Sequence, residues 1–221
     1  MLFYTFHKLT MIKGMFKKLI LVLLVVAFAF ETFAVERIIP NGVESILDEG
    51  PGADTELLVA GDSYAQHFYD DEKNRGLRLF PFFREGQTVE ENWEILFDAF
   101  TTYKKLIFLS ISVNDRHRNT HPNEFGNQLR NLFAVAKMTG KKVFVHSYMY
   151  YDLGSAINFA YSISEYDSMM RTVIQEFPGT VYFIDMSDCV GSEYILPDGI
   201  HYNKKFNDKL YDRILKKINA K

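Results

Sequence analysis

Leu57-Leu58-Val59-Ala60-Gly61-Asp62-Ser63-Tyr64-Ala65 is the stretch on which the fold turns. Four apolar residues run without interruption into a glycine, an acid and a serine. A continuous apolar run predicts a strand covered on both faces, because a strand with one wet face alternates. Gly61 allows a tight exit from that strand. Ser63 then falls at the start of a helix, where backbone N–H groups point outward without intrahelical partners. Taken alone, Gly-Asp-Ser reads equally well as a plain helix N-cap.

The same pattern recurs downstream. Short β-branched or aromatic runs at 57–60, 77–82, 106–110, 142–146 and 181–184 alternate with longer amphipathic stretches. Helices are expected over 89–103, with Trp93, Leu96, Phe97 and Phe100 on one stripe, and over 123–139, with Phe125, Leu129, Leu132, Phe133 and Ala136. Gly140 stops the second of these, a third runs over 157–177 before Pro178-Gly179, and a fourth over 204–218 closes the chain. The aromatic and methionine stripes read as core. Strands alternating with helices predict right-handed βαβ units, hence an α/β domain with a five-stranded parallel sheet covered on both faces over 56–221. Residues 35–55, with Pro40-Asn41-Gly42 and Glu49-Gly50-Pro51-Gly52, read as a turn-rich lead-in.

In such a sheet, chemistry belongs at the carboxyl ends of the strands. The third run leads to Ser112-Val113-Asn114-Asp115, for which simple turn chemistry is a sufficient account. Just before the last helix comes Leu196-Pro197-Asp198-Gly199-Ile200-His201. A carboxylate and an imidazole three apart on a glycine-containing loop can meet in one pocket. The acid then fixes the tautomer and leaves the other ring nitrogen to take a proton from a serine. A surface turn with an incidental histidine is the competing reading.

Together these segments resemble the SGNH (GDSL-like) hydrolase superfamily. Gly61-Asp62-Ser63 matches the nucleophile motif, Ser112-Val113-Asn114-Asp115 is similar to the Gly-x-Asn-Asp motif, and Asp198-Gly199-Ile200-His201 matches the Asp-x-x-His motif, in the family's order. The resemblance implies a flavodoxin-like three-layer α/β/α sandwich and a metal-independent, cofactor-free esterase or acyltransferase. Ser63 would be the nucleophile, His201 its base and Asp198 the orienting acid. The Ser63 and Gly86 backbone amides and the Asn114 side chain would form the oxyanion hole. Ser112 departs from the family by standing where it usually has glycine. The segment Arg84-Glu85-Gly86-Gln87-Thr88 matches the family's pattern only at Gly86. Asp62 and Asp115 are expected to fix turns. Three readings follow: a hydrolase of short-chain carboxylic esters, with O-acetyl groups on carbohydrate a candidate substrate; an O-acyltransferase on an exported or cell-surface polysaccharide; and a non-catalytic binding protein that kept the fold.

The other reactive side chains are less pointed. His67, one helical turn beyond Ser63, reads as a packing or solvent-facing residue, with a place lining the cleft as the alternative. His117 and His121, near Arg116 and Arg118, suit contact with an anionic or sugar substrate. With His146 they make no metal-ligand spacing, and no metal is expected. The single cysteine, Cys189, cannot form an internal disulfide, and neighbouring Asp188 and Glu193 argue for a structural thiol.

The net charge of -3 gives no reason to expect a nucleic-acid partner. It also conceals a basic start. Lys13, Lys17 and Lys18 precede a twelve-residue apolar run at 19–30, and Glu31-Thr32-Phe33-Ala34 follows. That arrangement reads as a secretory signal peptide over 1–34, since the run is shorter than the ~20 residues that span a bilayer. An uncleaved N-terminal anchor and a buried helix are the alternatives, and Met11 and Met15 are candidate true starts. The expectation is a secreted or extracytoplasmic protein without stable membrane insertion after cleavage. N-terminal sequencing of the exported protein should therefore begin near Val35. A cytoplasmic chain with Met1 or Met11 intact would overturn the signal-peptide reading.

Overall fold

The computed structural model describes residues 56–147 and 159–220. The expected signal segment 1–34 and lead-in 35–55 lie outside them, as do positions 157–158 of the expected third helix. The described elements alternate as anticipated: β1 (Glu56–Gly61), α1 (Ser63–Glu72), β2 (Arg78–Phe83), α2 (Trp93–Thr101), β3 (Leu106–Ser110), α3 (Val113–His117), α4 (Pro122–Met138), β4 (Lys142–His146), α5 (Ile163–Gln175), β5 (Val181–Ile184) and α6 (Lys204–Asn219). The five strands form one parallel sheet in the order β2-β1-β3-β4-β5. This is the flavodoxin-like strand order.

Period-two alternation sorts the strand side chains between two cores. Leu58, Ala60, Ile107, Leu109, Val143 and Val145 face α2, α4 and α5 through Leu96, Phe100, Phe125, Leu132, Phe133, Met170 and Val173. Leu57, Val59, Phe108, Phe144 and Ile184 face α1 and α6 through Phe68, Phe206, Leu210 and Ile214. Both faces are covered, which is why the runs are continuous rather than alternating. Pro81 lies on β2, an edge strand, where a missing N–H costs no ladder bond. Among the described residues no helix is long and apolar enough to cross a membrane.

Most element ends fall within two residues of the sequence expectation, and the larger departures are local. α2 begins at Trp93 rather than residue 89; in the turn before it the Val89 amide bonds the Asp115 carboxylate at 3.2 Å, and Thr88 and Glu91 bond each other reciprocally. α5 begins at Ile163 rather than 157, where Ser162 and Glu165 form a reciprocal capping box. Residues 113–117, expected as a turn, close into the short helix α3.

Two strand exits carry the strain of the site. Gly61 has φ 141°, and a Cβ there would lie 1.8 Å from the Ser110 carbonyl oxygen, so only glycine fits. Ser112, at φ 105°, occupies backbone space that favours glycine, and its side chain makes no capping bond to α3. A left-handed conformation costs an L-residue about 1–2 kcal/mol. Glycine's extra freedom in the unfolded chain costs about 0.4–1 kcal/mol, which is less. Ser112→Gly should therefore raise the melting temperature by roughly 1–4 °C in thermal unfolding, whereas Gly61→Ala should fail to fold or melt far lower. A lower melting temperature for Ser112→Gly would refute the strain argument.

Candidate active site

The sheet's strand order reverses between β1 and β3: the chain moves from β1 to β2 on one side, then returns past β1 to β3 and onward. A crevice opens at the carboxyl ends of two strands whose connections diverge in this way. Ser63 enters it from β1 as the first residue of α1, and α3 enters it from β3. Asp62 caps α1 by accepting the Tyr64 amide at 3.0 Å.

The third component arrives from the loop before α6. Gly199, at φ 71°, turns that loop so that Asp198 Oδ1 accepts the Ile200 and His201 amides at 2.8 and 3.0 Å. Asp198 Oδ2 lies 2.8 Å from His201 Nδ1, and His201 Nε2 lies 2.9 Å from Ser63 Oγ. A carboxylate only accepts, so Nδ1 carries the proton and Nε2 accepts from the Ser63 hydroxyl. Partial burial would raise the Asp198 pKa, but the bonds from His201 and the two amides prevail and hold it at about 2. The acid thus stays ionised beside the imidazole.

Behind this line two buried carboxyls tie the loops together. Asn114 Nδ2 donates to Asp62 Oδ2 at 3.3 Å, joining α3 to the turn that carries Ser63. Asp115 accepts the Val89 amide, joining α3 to the loop after β2, and Arg118 reaches the Gly86 carbonyl from the same side at 3.4 Å. Burial pushes Asp62 up to about 8 and Asp115 to about 7; bonds from the Tyr64 and Val89 amides pull the other way, and Asp115 adds repulsion at Asp62. Both acids fix turns, as expected. Gly86 is exposed in that loop at φ 68°. The loop leaves β2 beside the turn that carries Ser63, because the Arg84 amide donates to the Gly61 carbonyl at 3.1 Å.

The remaining candidates separate clearly. His117 stacks on Phe159 with ring centroids 5.3 Å apart, and the Arg116 guanidinium covers the same ring at 3.6 Å. Burial lowers the His117 pKa, and the charges of Arg116 and His201 lower it further. His121 caps α4 and lines a separate cavity of about 370 Å³ with Tyr161, Ser164 and Thr172, none of them a residue of the Ser63–His201–Asp198 line. His146 is buried beneath the sheet edge, giving Nδ1–H to the Ser147 carbonyl and accepting from Ser110 Oγ, each at 2.9 Å. Burial keeps it neutral, with its pKa lowered to about 4. Cys189 is buried, and burial together with Asp188 raises its thiol pKa, in line with a structural role. No three metal-ligating side chains converge among the described residues. His67, read from the sequence as a packing or solvent-facing residue with the cleft as the alternative, packs directly on the His201 ring at 4.5 Å between centroids. Its spacing of one helical turn from Ser63 was the available signal.

No protein-family model and no curated protein sequence matches the chain. Solved structures do. A Bacteroides fragilis protein provisionally described as an acylhydrolase aligns with TM-score 0.65 at 16% identity, covering 83% of this chain and 96% of its own. A GDSL-like lipase from Bacteroides thetaiotaomicron gives TM-score 0.62 at 16% identity, over 79% of this chain and 92% of its own. An acetylxylan esterase from Geobacillus stearothermophilus gives 0.56 at 16% identity, over 76% and 95%. Likeness at these identities establishes the architecture: the chain has the SGNH-type α/β fold of the GDSL-like esterases and lipases, with Ser63, His201 and Asp198 hydrogen-bonded in line at the carboxyl edge of its sheet.

Proposed function

We propose that this protein is an exported serine esterase of the SGNH superfamily that hydrolyses short-chain carboxylic esters, O-acetyl groups on carbohydrate among them. The observation that carries the reading is the unbroken line from Ser63 Oγ through His201 to Asp198. A serine serving only as an N-cap has no need of an imidazole whose far nitrogen is held by an ionised acid. The acetylxylan esterase among the fold's relatives supports short acyl groups on carbohydrate as the substrate class.

In the proposed mechanism His201 Nε2 takes the Ser63 hydroxyl proton as Oγ attacks the ester carbonyl, and Asp198 stabilises the resulting imidazolium. The carbonyl oxygen becomes an oxyanion. The Ser63 amide, at the first position of α1, and the Asn114 side-chain amide would receive it, with the Gly86 amide as third donor. One Asn114 N–H is committed to Asp62, which orients the amide and leaves its second N–H to donate. Collapse of the intermediate returns the proton from His201 to the departing alkoxide, leaving Ser63 acylated. Water then repeats the sequence, with His201 again as base, and releases the acid. A preorganised donor of this kind is typically worth ~10²–10³ in kcat.

The kinetic test follows directly. On a short-chain aryl ester, Ser63→Ala and His201→Ala should each lower kcat by on the order of 10⁴ or more. The double variant should be little worse than either, because one relay cannot be broken twice. Asn114→Ala should cost roughly 10²–10³, mainly in kcat. A fluorophosphonate should label Ser63, and chelators should leave the rate unchanged. Substantial activity in Ser63→Ala, or loss of activity with chelator, would refute the serine mechanism.

A further inference from the structure

His201 is held by more than Asp198 and Ser63. Tyr64 and His67, three residues apart on α1, share one face of that helix and both contact the His201 ring. Tyr64 meets it edge-on at 5.6 Å between centroids. Tyr64 is itself fixed, because its hydroxyl donates to the Ile200 carbonyl at 2.8 Å and its ring stacks on Tyr202, which stacks on Phe206. His67 lies closer, at 4.5 Å with the planes inclined by 36°. A phenyl ring would supply the same packing. An imidazole in that place adds something a phenyl ring lacks: it takes up a proton.

We propose that His67 is a positioning and proton-sensing residue for His201. Neutral, it holds the His201 ring plane in line with Ser63 Oγ. Protonated, it sets a second cation against the imidazolium that His201 must become when Ser63 is deprotonated. The inference rests on the esterase reading of the same site.

The charged groups around the pair favour this assignment. Asp198, from the loop before α6, bonds His201 Nδ1 at 2.8 Å and so stabilises a cation on His201. Among the described residues no carboxylate bonds His67. One turn further along α1, Asp70 is engaged by Lys73 at 3.0 Å and Asp71 by Asn207 of α6 at 2.7 Å. Glu72, Lys204 and Asp208 form their own cluster at the far end of α1. Burial lowers the His117 pKa on α3, with Arg116 and His201 adding to the effect, and Asp62 lies buried at the start of α1. A proton on His67 is therefore uncompensated by its own partner and is felt by His201.

The test compares wild type, His67→Phe and His67→Ala across pH, reading kcat and KM on a short-chain aryl ester and the rate of Ser63 labelling by a fluorophosphonate. In the wild type the acid limb of log kcat/KM should approach a slope of two, because a proton on either imidazole stops the reaction. His67→Phe should show a slope of one and keep plateau kcat within about threefold. His67→Ala should also show a slope of one, but with plateau kcat about tenfold lower and KM unchanged, because the ring support is gone. Identical acid limbs in wild type and His67→Phe would overturn proton sensing. Equal plateau kcat in His67→Ala and His67→Phe would overturn positioning. Imidazole NMR titration supplies a readout independent of turnover: the His201 resonance should show a second inflection that disappears in His67→Phe, and its persistence there would also overturn the proposal. A wild type that neither labels nor hydrolyses would refute the esterase reading, while the NMR titration would still decide whether the two rings are coupled.

Discussion

Everything at the carboxyl edge of the sheet depends on how closely β1 and β3 approach where β1 ends. The Asp62 amide donates to the Ser110 carbonyl at 3.1 Å, and at Gly61 there is no room for even one methyl group against that same carbonyl. Two further donors converge on the opposite side of this turn. The Arg84 amide and the Asn92 side chain both bond the Gly61 carbonyl, so the chain is held on both sides as it leaves the strand. That grip sets the direction in which α1 departs, and with it the position of Ser63. A side chain at residue 61 would push β1 from β3 and move Ser63 away from a histidine 138 positions further along the chain.

The second layer of control is unusual in being acidic and buried. Asp62 and Asp115 occupy the space between three loops, and each satisfies amides that would otherwise be stranded. Removing a carboxylate from water is costly, and the raised pKa values of both express that cost. In return, α3 is tied to the turn that carries Ser63 on one side and to the Gly86 loop on the other. The groups proposed to receive the oxyanion thus stand on elements cross-linked through α3, which limits the reorganisation needed as charge develops. The histidine side is held differently, by stacked rings: Phe206, Tyr202 and Tyr64 run from the core to His201. Such a stack is apolar and rigid, and suits a ring whose plane must stay aligned while its charge changes.

Much of the architecture was legible beforehand because burial on both faces leaves a plain trace. The runs at 106–110, 142–146 and 181–184 coincide with β3, β4 and β5. The helix ends were less legible, since they depend on partners distant in sequence. The Val89 amide, in the turn before α2, is bonded by Asp115, 26 residues away. α3 was missed because a helix this short has no periodicity to detect, and because Ser112 conceals a backbone conformation usually marked by glycine. α5 is the contrary case: Ser162 and Glu165 spell a capping box that could have been read directly.

By itself the sequence determined the alternation of strands and helices, the two-sided burial of the sheet, and the candidate residues for the proposed acyl-transfer chemistry. Those are properties of local pattern: apolar period, turn residues and short motifs. Distances belonged to the tertiary structure alone. Asp198 and His201 are neighbours in the chain, and a glycine turn suffices to pair them; Ser63 joins them only because α1 and the loop before α6 are clamped together by Tyr64 and Tyr202. His67 is the clearest instance. One turn of helix from Ser63, it looked like any packing histidine, and only the convergence of two segments far apart in sequence set its ring against His201.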